Sequence, residues 1–136
     1  MFCRQQVAEF RPHVDEVKHA GLELAIIGSG TPHFAKAFLE DLKLGDLPVY
    51  CDQELKSFAA AELRRSWGTV LDPRALAKGL VAMKYKQKKT MGDATQQGGV
   101  LIVRPDGTIP YHFVSRFAGD HARNDTILAE VKKAAA

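Results

Sequence analysis

The chain has 136 residues and a mass of 15.0 kDa, with 46% hydrophobic and 26% charged residues, the balance of a soluble domain able to bury an ordinary core. No apolar run approaches the roughly 18 residues that span a bilayer. The opening Met1–Gln6 lacks the apolar stretch of a secretory signal, and two cysteines do not build a disulfide scaffold, so a reducing cytoplasm is the expected compartment. The net charge of +3 is local: Pro73–Gly92 holds Arg74, Lys78, Lys84, Lys86, Lys88 and Lys89 and no acid, leaving the remainder at −3.

From about Gln5 to Ala20, Val7, Phe10, Val14 and Val17 recur at helical spacing, and Cys3 extends the stripe backwards. Pro12 costs one helical hydrogen bond and predicts a kink; Gly21 is a stop. Leu22–Gly28, apolar except for Glu23, reads as a strand buried on both faces. Thr31-Pro32 opens a helix with Phe34, Phe38, Leu39 and Leu42 inward. Pro48–Cys51 is a short strand, and Asp52 caps a helix carrying Leu55, Phe58, Ala59 and Leu63. Asp72-Pro73 starts another, with Leu76, Leu80 and Met83 inward. Val100–Val103 and Thr108–Ser115 flank a Pro105-Asp106-Gly107 turn and form a hairpin, with Ile109, Tyr111 and Phe113 on one face. Pro110 consigns the second strand to a sheet edge. A last helix from about Arg123 turns Ile127, Leu128 and Val131 inward. Alternation of this kind predicts an α/β fold with a mixed sheet.

Phe2-Cys3-Arg4 before an amphipathic helix, Gly21 and an apolar strand resembles the active-site helix of the thioredoxin-like superfamily. Leu47-Pro48-Val49-Tyr50 with Asp52, Gly92-Asp93, Gln97-Gly98-Gly99, Arg104-Pro105-Asp106-Gly107, Ser115-Arg116 and Gly119-Asp120-His121 follow in the order of its AhpC/TSA peroxiredoxin-like branch. The likeness runs from residue 2 to about 131. It implies one thioredoxin-like domain over residues 1–136, a mixed sheet flanked by helices. Cys3 matches the second position of a C-x-x-C-like motif. The partner position and the first, central strand then fall upstream, as in an N-terminally truncated chain. The arginine usual in peroxiredoxins is not found before the hairpin strand, where Gln97 and Gly98 stand.

A thiol at a helix N-terminus is drawn toward the thiolate by backbone N–H groups and the positive dipole end, and Arg4 and the Met1 amine add to that. A cysteine in phase with Val7 and Phe10 also reads as a small buried hydrophobe; the resemblance favours Cys3 as the catalytic thiolate. Gly98 and Gly99, with Arg4, are by resemblance its substrate-binding neighbours. Cys51 could resolve a disulfide from the same sheet rim, but separate strands rarely bring Cα atoms within roughly 7 Å, so it reads as buried and structural. Gly28-Ser29-Gly30 lacks a phosphate-binding signature and reads as a turn. Trp67 beside Gly68 reads as a packing anchor. The five histidines (His13, His19, His33, His112, His121) show no metal-ligand spacing, and neither a metal nor a cofactor is implied.

The expected function is thus thiol–disulfide exchange or thiol peroxidase chemistry, with a peroxide or disulfide as substrate and a thiol as reductant. The alternative is a catalytically incomplete binding or oligomerisation module, a homodimer completing the sheet. The lysines around Tyr85 read as a solvated face rather than a nucleic-acid site, and no membrane partner is expected.

Overall fold

The computed structural model describes residues 2–45, 47–63, 65, 72–82 and 96–135, and not the side chains of residues 2, 3, 76 and 79–82. Its elements are α1 (Phe2–Phe10), a 3-10 turn (Arg11–His13), α2 (Val14–His19), β1 (Ile26–Gly28), α3 (Pro32–Asp41), β2 (Val49–Cys51), α4 (Lys56–Ala60), α5 (Pro73–Ala82), β3 (Gly99–Ile102), β4 (Tyr111–Val114) and α6 (Asn124–Ala135). The order is the one the sequence implies.

The N-terminal helix does more than kink. Pro12 sits in a tight 3-10 turn that divides it into α1 and α2, because the ring removes an N–H and crowds the preceding turn. Gly21 ends α2 at φ +85°. Its N–H donates to the Lys18 carbonyl at 2.9 Å, and Leu22 N–H to the Val17 carbonyl at 3.2 Å, the paired bonds of a Schellman stop.

β1 and β2 pair in parallel, with Ile26 against Val49, Ile27 against Tyr50 and Gly28 against Cys51. β3 and β4 pair antiparallel from Gly99–Val114 to Ile102–Tyr111. In place of the single mixed sheet expected, the described residues form two two-stranded ladders, one parallel and one antiparallel, that no strand pairing joins. β1 is also shorter than Leu22–Gly28 and is not buried on both faces, since Ile27 and Tyr50 stand side by side in solvent. Leu22 and Leu24 pack instead on the main core as irregular chain. α3 covers the parallel pair by packing on β2.

That main core joins the two ends of the sequence. Val17 of α2, Ile102 of β3, Ala122, and Ile127 and Val131 of α6 are buried together, with Phe10, Tyr111 and Phe113 against them. Ile109 stays outside it and exposed, because the ladder ends at Tyr111 and Pro110 precedes it. The turn is as read: Gly107 takes φ +86°, and Asp106 accepts from Thr108 N–H at 2.9 Å and Thr108 Oγ1 at 2.7 Å. A second, smaller core holds Ala75, Phe117 and Ala118. No described helix is long and apolar enough to cross a membrane. Trp67, Gly68, Met83, Lys84, Tyr85, Lys86, Lys88, Lys89, Gly92 and Asp93 lie outside the described residues.

Candidate functional site

Cys3 is the second residue of α1, within its first turn, where N–H groups have no intrahelical acceptor and the dipole is positive. Beside it in sequence, Arg4 is buried, with its side chain only 9% exposed. One guanidinium nitrogen, Nη2, donates to Asp41 Oδ2 at 2.9 Å, and the group lies over the Phe38 ring at 5.6 Å. Its Nε is buried and has no acceptor among the described residues. Asp41, by contrast, is 61% exposed.

Sequence reasoning missed the Asp41 and Phe38 partners, although two misplaced charges signal them. Arg4 precedes Val7 by three residues and so falls beside the apolar stripe. Asp41 is the last residue of α3, where a carboxylate opposes the helix dipole. Each charge is out of place alone, and the ion pair accounts for both.

Gly98 and Gly99 are held by the hairpin. Gly98 accepts from Ser115 N–H at 3.0 Å, and Gly99 pairs with Val114. A methyl group on Gly99 would come within 2.3 Å of the Phe113 carbonyl oxygen and 2.6 Å of Leu63 Cδ2. This glycine therefore permits close packing against Leu63, whereas Gly98 has open space around it. Gln97 beside them is buried, its carbonyl accepting from Gln96 Nε2 at 2.9 Å.

Cys51 is exposed and free, which corrects its reading as a buried thiol. It ends β2 opposite Gly28, a partner with no side chain to cover it. Asp52 accepts from Ser57 N–H at 2.7 Å and from Ser57 Oγ, and these bonds hold its carboxyl below the usual carboxylate range. Leu55, in the left-handed region at φ +60°, is the residue that adjoins α4, so Asp52 secures the helix from one turn further back.

The Ser115–Ala122 segment is unusually buried for a connection. Ser115 Oγ donates to the Asp120 carbonyl at 2.6 Å, and Arg116 N–H and Nε both donate to Asp120 Oδ2 at 3.0 Å. Burial raises the Asp120 carboxyl, but the Arg116 donors and the charges of Arg116 and Lys78 outweigh it, leaving the group below its ordinary value. His121 is lowered by burial first and by Lys78 next, against the opposing pull of Glu9 and Asp120. The folded chain thus binds this proton less tightly than the unfolded chain. Stability should fall as pH drops through the window below the ordinary value of 6.5. Thermal melts from about pH 8 to pH 5 should show that decline, and His121→Gln should flatten it. The Asp120 contribution stays intact there, being lost only as pH falls through its own, lower range. Among the described residues, no three His, Cys, Asp or Glu side chains are arranged to hold a metal ion.

The AhpC/TSA antioxidant enzyme family matches residues 9–116, a stretch that includes the hairpin and Arg116 but starts after Cys3 and Arg4. The thioredoxin-like protein AAED1, chloroplastic, of Arabidopsis thaliana is 29% identical over 139 aligned residues, covering 94% of this chain and 56% of the relative. The chain therefore spans about half the length of that curated relative. No solved structure matches it. With four-fifths of its length aligned to one family, this chain belongs to the AhpC/TSA antioxidant enzyme family, a thioredoxin-like family.

Proposed function

We propose that this chain is a thiol-dependent redox protein with Cys3 as its nucleophile, built as one thioredoxin-like domain over residues 1–136 and working in a reducing compartment such as the cytoplasm. The observation that carries the reading is Arg4. Next in sequence to a cysteine in a helix first turn, a buried guanidinium keeps one N–H with no acceptor among the described residues. A buried unmet donor is costly, and a thiolate or a peroxide oxygen is the kind of acceptor that satisfies it.

In the peroxide reaction the Cys3 thiolate forms an S–O bond as the O–O bond breaks. The leaving oxygen takes a proton and departs as water or an alcohol, and the cysteine becomes a sulfenic acid. Two equivalents of a thiol reductant then restore it, releasing water and a disulfide. With a disulfide substrate the same thiolate attacks sulfur and a thiolate leaves. Gly98 and Gly99, by family likeness, border the substrate, Gly99 through backbone that its packing holds still.

The test uses a Cys51→Ser background, since Cys51 is exposed. The Cys3 alkylation rate measured against pH should report a thiol pKa well below the unperturbed value of about 8.5. Hydrogen peroxide should be consumed with a thiol reductant and not by Cys3→Ser. An ordinary pKa together with turnover no better than Cys3→Ser would overturn the assignment.

A second reading is favoured by two ladders that no strand joins among the described residues and by Ile27 and Tyr50 in solvent: parallel strands are ordinarily buried on both faces. In it the chain is an oligomerisation module, a second copy supplying the strand that lies between the ladders in a thioredoxin-like sheet. Light scattering should then report a dimer, and Ile27→Lys should dissociate it. A monomer at high concentration rejects this reading.

A further inference from the structure

Arg74 and Arg123 each close one edge of the guanidinium on an aspartate. Arg74 donates to Asp72 through Nε at 3.0 Å and Nη2 at 2.7 Å, and Arg123 to Asp125 through Nε at 3.2 Å and Nη2 at 2.8 Å. Arg4 uses that edge differently, engaging Asp41 through Nη2 at 2.9 Å and not through Nε. Its Nε arm is buried and open among the described residues. The two arms of such a fork are parallel, so a carboxylate fixed on one arm also sets where the other points.

The clamp comes from one face of α3. Phe38 and Asp41 are three residues apart on it, which makes them neighbours on the helix surface. The Phe38 ring lies 5.6 Å from the Arg4 guanidinium carbon, within cation–π range, and the Asp41 carboxylate anchors Nη2. α3 itself gains nothing from that carboxylate, which opposes its dipole in the last turn.

We propose that Asp41 is a positioning residue for the Cys3 reaction, holding the Arg4 guanidinium so that its Nε–H stays directed at the thiolate or the peroxide oxygen. The inference rests on the role given to Arg4 above. Asp41 acts through Arg4, from a side chain that is itself 61% exposed. Its charge and its hydrogen bond affect a thiolate in opposite senses. A nearby negative charge disfavours the thiolate, whereas a donor kept in place favours it. The sign of the change on removing Asp41 therefore separates the two.

The measurements use the full chain in the Cys51→Ser background, following peroxide turnover with a thiol reductant and Cys3 alkylation against pH. Asp41→Ala should lower turnover on the order of tenfold and raise the thiol pKa. It also strands a buried guanidinium and lowers the melting temperature, so two further variants decide the matter. Asp41→Asn keeps an oxygen acceptor for Nη2 without the charge. It should recover most of the turnover, with a thiol pKa at or below that of the parent. In the Arg4→Met background, adding Asp41→Ala should change turnover less than about twofold, because no guanidinium remains to be positioned. Equal losses from the alanine and asparagine variants, a thiol pKa lowered by Asp41→Ala, or a further loss in the Arg4→Met background would each overturn the role of Asp41 and leave Cys3 as the nucleophile. Parent turnover no better than Cys3→Ser would overturn the thiol chemistry itself, and the role of Asp41 with it.

Discussion

Arg4→Met should lower thiol-dependent peroxide consumption at least tenfold while leaving the melting temperature unchanged or raised. Two facts separate these effects. Removing one partner of a buried ion pair is costly because it strands the other charge in a dry site. Here the other charge is Asp41, which is already 61% exposed and rehydrates freely. Methionine fills the same narrow volume beside Phe38 with a flexible apolar chain and abolishes the unmet Nε–H. The fold therefore loses little. The Cys3 thiolate loses its nearest fixed positive charge in sequence, so alkylation profiles should show a higher thiol pKa. Arg4→Lys separates charge from geometry: it should restore the pKa but not the full rate if the Nε–H is what meets the peroxide oxygen. Unchanged turnover in Arg4→Met at an unchanged melting temperature would remove Arg4 from the chemistry.

Gly99→Ala should be among the most damaging single-methyl additions in this protein. The new carbon would meet the Phe113 carbonyl oxygen and Leu63 Cδ2 far inside van der Waals contact. Leu63 can turn away, but the carbonyl belongs to the paired strand and cannot move without opening the Gly99–Val114 end of the ladder. Overpacking of this kind costs about 1–3 kcal/mol, and with backbone involved we expect the upper end, a fall in melting temperature on the order of 10 °C. Gly98→Ala, one residue away in open space, should leave it within a degree or two. Chemical denaturation of the two variants checks the contrast. Adding Leu63→Ala to Gly99→Ala should recover only part of the loss. Equal behaviour of the two glycine variants would show that the hairpin yields more easily than its register implies.

Much of the fold was legible because local signals and long-range packing agree. Gly21, Thr31-Pro32, Asp72-Pro73 and Gly107 mark boundaries by backbone chemistry alone, and the structure places boundaries at each. The inward set Ile127, Leu128 and Val131 is helical periodicity made visible. Periodicity misleads where an apolar run has two uses. Leu22 and Leu24 leave the strand to pack on the core, and Ile27, inside the strand, lies in solvent. Nothing local distinguishes these fates, which depend on what lies across the sheet. For the site, the sequence singles out Cys3 through its place on a helix. It does not identify Asp41 as the partner of Arg4, since the two are 37 positions apart. Tertiary packing brings that pair together, and pairwise spacing does not encode it.

The main core also sets an order of events during synthesis. Val17 is made well before its buried neighbours Ile127 and Val131. Asn124 reaches back to donate to the Glu9 carbonyl at 3.0 Å, at the C-terminal end of α1. Helices of nine and six residues are too short to persist alone in water. The segment bearing Cys3 therefore gains its packing only once α6 has been made as well.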